Sequence, residues 1–402
     1  MAFTSGTGVH GHNHLLDIFK TYMVGTVGWT QLEYTTARDE ATSVDAVAAP
    51  GTGYNIGDEI TLTGGTFTTA TVLTVLTLTG GAGTGVATVS ILTPGVYTVA
   101  PGSPVAQGSV SPAGGSGATF TMTYDPAVDG DTATLSLEGP GNGAGKRVYI
   151  NIDTVNDVGN GYYGWRMYYA TDYDSAVGFS VQENASSPVY FNMWNNSIDY
   201  YIQGNSRHFK VEVQISTNFL SCYGGFLLPG ALPSEYAQPV CVIASYPELA
   251  AAGVSNARNS SIADPGVGCG YFLRRAVNGN RSIDNHKSGA SSIFPAVGNR
   301  AYMWPAKAGR GLDATSGTDN EEHNTGGFEF MKTNFNGESP LARCYVIDMV
   351  DGEAVGALDG VYMTTGQGRS VEQLLTVGGR AFRLFQRAGH TNPGDFFAVE
   401  EV

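Results

Sequence analysis

Phe209-Lys210-Val211-Glu212-Val213-Gln214-Ile215 is the stretch that decides the fold class. Phe209, Val211, Val213 and Ile215 fall on one side of an extended chain, and Lys210, Glu212 and Gln214 on the other. A period of two is the mark of a strand with one apolar and one polar face. Further strands are read at Ala133-Thr-Leu-Ser-Leu137, Val148-Tyr-Ile-Asn-Ile152 and Cys344-Tyr-Val-Ile-Asp-Met-Val350. Near the N-terminus, Leu15, Phe19 and Tyr22 recur at helical spacing, which predicts one short helix from about His14 to Gly25. Gly28-Trp29-Thr30-Gln31-Leu32-Glu33-Tyr34 alternates like a strand again.

Composition agrees with this reading. The 402 residues include 55 glycines, and only 14% are charged. Glycine supplies the positive φ angles of tight turns between strands, while the long-helix formers Leu, Glu, Lys and Arg are scarce. With 42% apolar and 11% aromatic residues the chain can fill two or three cores. The prediction is an all-β protein, with a β-sandwich-like main body and a short N-terminal helix.

Between Asp39 and Gly145 there is no Lys, Arg, His, Cys or Trp, while Gly, Thr, Val and Ala dominate. Gly53-Tyr54 is echoed by Gly95-Val-Tyr97, and Gly80-Gly-Ala-Gly-Thr-Gly by Gly114-Gly-Ser-Gly-Ala-Thr. Each copy reads as a turn leading into a short strand. Ile60, Leu62, Val72, Leu73, Val75, Leu76 and Leu78 are too many large apolar residues for a solvated linker. The expected organisation is therefore a helix and first strand over 1–45, an inserted small β-domain over 46–125, and a main β-body over 126–402. A long irregular segment is expected near 251–338, where Asn, Ser and Gly cluster.

The net charge of −15 and the isoelectric point near 4.8 argue against a nucleic acid as direct partner. No apolar run approaches the ~20 residues of a membrane-spanning helix, and the N-terminus lacks the pattern of a signal peptide. Cys222, Cys241, Cys269 and Cys344 form no C-x-x-C pair. They are expected to be buried thiols of a chain made in a reducing cytoplasm.

Several stretches of the main body resemble a family of tailed-bacteriophage virion structural proteins. They are Trp194-Asn-Asn-Ser-Ile-Asp-Tyr-Tyr-Ile-Gln-Gly-Asn-Ser-Arg-His-Phe-Lys-Val-Glu-Val-Gln-Ile-Ser-Thr217, Tyr223-Gly-Gly-Phe-Leu-Leu-Pro229, Leu358-Asp-Gly-Val-Tyr-Met-Thr-Thr-Gly366 and Gly394-Asp-Phe-Phe-Ala-Val399. Gly28-Trp29-Thr30 after the helix and Tyr162-Tyr-Gly-Trp165 also fit. The chain departs from the family at Tyr236-Ala-Gln-Pro-Val-Cys241. The Gly/Thr-rich insert resembles β-modules scattered among phage surface proteins. The resemblance implies a component of the particle, made in the bacterial cytoplasm and built into the virion, and the expected place is the tail, neck or baseplate. Its partners would be copies of itself and other phage structural proteins. Two rivals are a fibre that attaches to a host-surface glycan and a virion-borne polysaccharide hydrolase.

Candidate sites are few. His10, His12 and His14 would line one side of an extended segment, a geometry able to bind a transition metal. A solvated N-terminal arm preceding the helix is the favoured explanation, since no nearby Cys or carboxylate completes a site, and no cofactor is expected. Asp153, Asp157, Asp172 and Asp174 flank an aromatic run, but the order of a calcium loop is absent. Turn-capping explains such aspartates without any catalytic residue. Tyr162, Tyr163, Trp165, Tyr168 and Tyr169, then Trp194, Tyr200 and Tyr201, suit a core, a subunit interface or a glycan platform. No nucleophile elbow, zinc-protease or phosphate-loop motif is present, so no enzymatic activity is expected.

Overall fold

The computed structural model describes residues 2–112, 114–127, 131–141, 147–157, 162–193, 197–229, 240–244, 269–276, 279–284, 301–304, 340–348, 354–364, 366, 368–386 and 396–401. Among the described residues the regular elements are one helix, two short helical turns and otherwise strands, as the composition predicts. Contacts divide the chain into two compact units. The main one comprises 1–12, 16–34 and 134–402, and the second 13–15 and 35–133.

The main unit is built from three antiparallel sheets. Its central sheet runs Ala2–His10, Ser197–Gly204, His208–Ile215, Asn218–Phe226, Val240–Ala244, Cys269–Ala276 and Gly279–Asp284 in spatial order. Two consecutive hairpins set the register of its middle, with Val211 opposite both Ile202 and Cys222. On one face Phe209 meets Phe19 and Trp29, at ring separations of 4.8 and 6.0 Å. Phe19 in turn packs on Trp165 of a five-stranded sheet, ordered Val189–Met193, Tyr162–Ala170, Val148–Asp157, Thr134–Gly139 and Thr30–Thr35.

The opposite face of the central sheet is covered too. Phe219, Tyr223, Cys241 and Ile243 share a core with Cys344, Val346, Leu358, Val361, Met363, Phe385, Phe397 and Val399. Those partners belong to a sheet ordered Ala301–Trp304, Ala342–Asp348, Ala354–Thr364, Phe396–Glu400, Arg380–Gln386 and Leu374–Val377. The main unit is therefore a three-layered sandwich. This corrects the amphipathic reading of Phe209–Ile215 in one respect: Lys210 and Glu212 of its polar face do not meet solvent, and only Gln214 is partly exposed. His208, Lys210 and Glu212 are all buried beneath the C-terminal sheet. Within 251–338, expected to be irregular, strands stand at Cys269–Ala276, Gly279–Asp284 and Ala301–Trp304.

The helix spans Gly11–Tyr22 and continues as a wider turn through Met23–Val27, ending where Gly28 adopts φ +86°. A positive φ at the residue after a helix is a position that glycine fills without strain.

The second unit is one eight-stranded antiparallel sheet. Its order is Thr66–Thr69, Val96–Val99, Asp39–Thr52, Ser116–Pro126, Val105–Ser111, Glu59–Leu62, Val72–Leu78 and Val86–Thr93. Ile60, Leu62, Leu73, Val75, Val105 and Phe120 fill its core. The sequence echo has a physical cause: Gly53 and Gly95 both take positive φ, and Tyr54 and Tyr97 are both fully buried. A Cβ on Gly115 would lie 2.2 Å from the Tyr54 ring, so that approach requires glycine.

Candidate functional site

The aromatic run Tyr162–Ala170 is one strand, and its alternation sorts the rings by side. Tyr163, Trp165, Met167 and Tyr169 point inward and are buried. Trp165 donates its Nε1–H to the carbonyl of His12 at 2.9 Å and packs edge-on to Phe191. Arg166 and Tyr168 stand on the other face, with the guanidinium 5.6 Å from the Tyr168 ring centre. Tyr162 begins the strand, and its side chain lies outside the described residues, as does Trp194 altogether.

Register brings polar partners to that outer face. Asp153 lies opposite Arg166 on one side and Thr134 on the other, and Asn151 lies opposite Tyr168 and Ser136. Asp153 accepts four hydrogen bonds: from Thr134 at 3.1 Å, Asn151 at 2.8 Å, Arg166 Nη2 at 2.7 Å and Arg166 Nε at 3.3 Å. The result is a fixed row of hydrogen-bonding groups across three strands.

Over this row folds the loop that follows the strand. Gln182, itself buried, ties the loop together. Its amide donates to the carbonyls of Asp174 (2.7 Å) and Val177 (3.0 Å), and its oxygen accepts from the Asp174 N–H (2.7 Å). Asp174 caps the turn by accepting from the Ala176 N–H, and Asp172 accepts from the Tyr173 N–H. The loop thereby sets Tyr173 flat against Tyr149, with ring planes 17° apart, and Phe179 against Tyr168. A cleft of about 260 Å³ remains between loop and sheet. Glu33, Asn151, Asp153 and Arg166 line it with polar groups, and Tyr168, Tyr173 and Phe179 with rings. Burial pushes the Tyr168 hydroxyl above its ordinary value, which keeps it a neutral donor.

The other sequence candidates are scattered. Helix formation from Gly11 corrects the extended reading of the three histidines. His12 is buried, its Nε2 lies 2.5 Å from Asn156 Oδ1, and its ring packs against Tyr163. His14 Nδ1 lies 3.3 Å from Asp125. His10 ends a strand as the residue preceding the helix. Two residues apart on a helix, His12 and His14 project in different directions. Among the described residues, no group of three or more His, Cys, Asp or Glu side chains is placed to hold a metal. Tyr200 and Tyr201 point to opposite faces of the central sheet. Tyr201 donates its hydroxyl to Glu372, packs on Phe385 at 5.3 Å and carries Arg383 over its ring.

The buried polar row of the central sheet is His208, Lys210 and Glu212, of which sequence reasoning assigned Lys210 and Glu212 to the polar face. Lys210 Nζ donates to the carbonyl of Asp359 at 2.9 Å. Burial pulls its pKa down to about 7, against the opposing pull of Asp359, Glu400 and Glu212. Burial pushes the Glu212 carboxyl well above the carboxylate range and His208 well below the imidazole range. His208 stacks on Tyr223 with ring planes 10° apart. All three groups are sealed between sheets, so their chemistry serves the fold. Among the thiols, Cys222, Cys241 and Cys344 are buried and unpaired. No known family model matches this chain, and no curated protein matches it.

Proposed function

We propose that this chain is a non-catalytic structural subunit of a tailed-phage particle, a tail, neck or baseplate component that assembles with copies of itself. One observation carries the reading. The stretches that resemble phage virion proteins coincide with the core of the main unit: Ser197–Gly204, His208–Ile215 and Asn218–Phe226 in the central sheet, and Ala354–Thr364 and Phe396–Glu400 in the sheet packed on it. A resemblance concentrated in packed sheets is what shared architecture without shared chemistry would leave. The titratable groups fit this view. Asp153 is committed as an acceptor to four donors, while Lys210 and Glu212 are buried between layers. An acid–base catalyst needs a group free to exchange its proton with a substrate.

Lysates of phage-infected bacteria, probed with antibody against the purified chain, test this reading. The chain should sediment with intact particles in many copies and label one fixed location in electron micrographs. Recovery only in the soluble fraction, with unlabelled particles, would refute it.

A further inference from the structure

We infer that the cleft between the five-stranded sheet and the Thr171–Pro188 loop binds an uncharged pyranose unit of a surface polysaccharide. A sugar ring presents apolar C–H faces above and below and hydroxyls around its rim. It is held by aromatic faces together with fixed polar groups that can share adjacent hydroxyls. The cleft offers both kinds of surface. Tyr173 and Phe179 come from the loop and Tyr168 from the sheet, while Asn151, Asp153 and Arg166 form the polar row between them.

Size agrees with a small ligand. About 260 Å³ lies just under the ~300–1,000 Å³ typical of drug-sized sites, room for roughly one or two sugar rings. Charge selects among sugars. Glu33 and Asp153 face a single Arg166, whose guanidinium is already engaged by Asp153, so an anionic sugar would meet net negative charge. The site is also ordered before any ligand arrives. Gln182 holds the loop through three hydrogen bonds, and Asp153 fixes the guanidinium, so little freedom remains to be lost on binding.

This inference holds whether or not the chain is built into a particle. Saturation-transfer NMR on the full chain, with glucose, galactose, mannose, N-acetylglucosamine and glucuronate as separate probes, tests it. At least one neutral sugar should show transfer, and glucuronate none. Tyr173→Ala should cut the signal at least fivefold. Ser180→Trp should abolish it by filling the cleft without removing a core contact. Val181→Ala, at a largely exposed position of the same loop that does not line the cleft, should leave it unchanged. No transfer from any neutral sugar, transfer from glucuronate alone, or a signal indifferent to both Tyr173→Ala and Ser180→Trp in folded protein would each overturn the inference. Particle incorporation, measured separately, would stand or fall independently.

Discussion

Replacing Lys210 by Met should stabilise the protein at pH 6 and do so less as the pH rises. The ammonium is buried between two sheets, and its pKa falls from 10.5 to about 7. The unfolded chain keeps that proton up to the ordinary lysine range, whereas the folded chain releases it near neutrality. Between those limits the unfolded state binds more protons, so stability rises with pH. Below about pH 7 the folded state carries the whole cost, about 5 kcal/mol at ~1.36 kcal/mol per pH unit. Methionine has similar length and no charge, so it removes that cost. Against the gain stands the Asp359 carbonyl, which loses its donor, a loss of about 1–3 kcal/mol. Burial raises the Glu212 carboxyl well above the ordinary carboxylate range, which favours its neutral form when the neighbouring cation is removed. Its own linkage has the opposite sign: the contribution is full below the ordinary carboxyl range and lost as the pH climbs. The Lys210 ammonium opposes that shift in the parent, so the substitution pushes the Glu212 carboxyl further up. The net expectation is a gain of about 2–4 kcal/mol at pH 6 that shrinks as the pH rises and becomes a loss of up to about 2 kcal/mol near pH 10, where little but the missing hydrogen bond remains. Urea unfolding followed by tryptophan fluorescence at pH 6, 8 and 9.5 measures it. A variant less stable than the parent at pH 6, or a difference independent of pH, would show that Lys210 is a charged partner of Glu212 and refute the reasoning.

Two further outcomes concern the architecture. Trp165→Ala removes a fully buried ring packed between Phe19 and Phe191 and should lower stability by ~3–5 kcal/mol in the same assay; a loss under 1 kcal/mol would contradict its place in the core. Excision of residues 39–126 should leave a cooperatively folding main unit, because the Ala127 N–H donates to the Arg38 carbonyl at 2.8 Å and the cut ends are already adjacent. A truncated chain without a cooperative transition would refute that expectation. The cut falls there because Asp39–Thr52 pairs with Ser116–Pro126 from Asp39↔Pro126 to Thr52↔Ser116. A cut at 45 and 126 would split a strand.

What the sequence could show follows from the range of the forces involved. Alternation in Phe209–Ile215 is local, set by the backbone geometry of a strand, and it marks the two faces correctly. What covers the polar face is decided by Cys344, Leu358, Val361 and Val399, residues roughly 130 to 190 positions away. One signal could have corrected the reading. The partner strand Asn218-Phe-Leu-Ser-Cys-Tyr-Gly-Gly-Phe226 is apolar on both sides, with no charge along its length, and such runs mark sheets covered on both faces. A strand hydrogen-bonded beside it cannot have an open polar face along the shared register. The helix start was hidden for a different reason. His10 precedes it without a side-chain cap bond, so no Ser, Thr, Asp or Asn announces the first turn, and the three histidines read as extended.

The cleft shows the same division most sharply. Its sheet half follows from period two: counting from Trp165 inward, Arg166 and Tyr168 must point out, and antiparallel pairing then places Asp153 opposite Arg166. Its loop half cannot be counted. Tyr173 and Phe179 reach the sheet only because Gln182 closes the intervening turn on the backbone of Asp174 and Val177. A polar glutamine in a Gly- and Ser-containing loop looks solvent-exposed in sequence, yet it is buried, since its amide replaces water for three backbone groups at once. The aromatic run is thus sorted by face along a single strand. Trp165 and Tyr169 fill the core, and Tyr168 is left to face whatever enters the cleft.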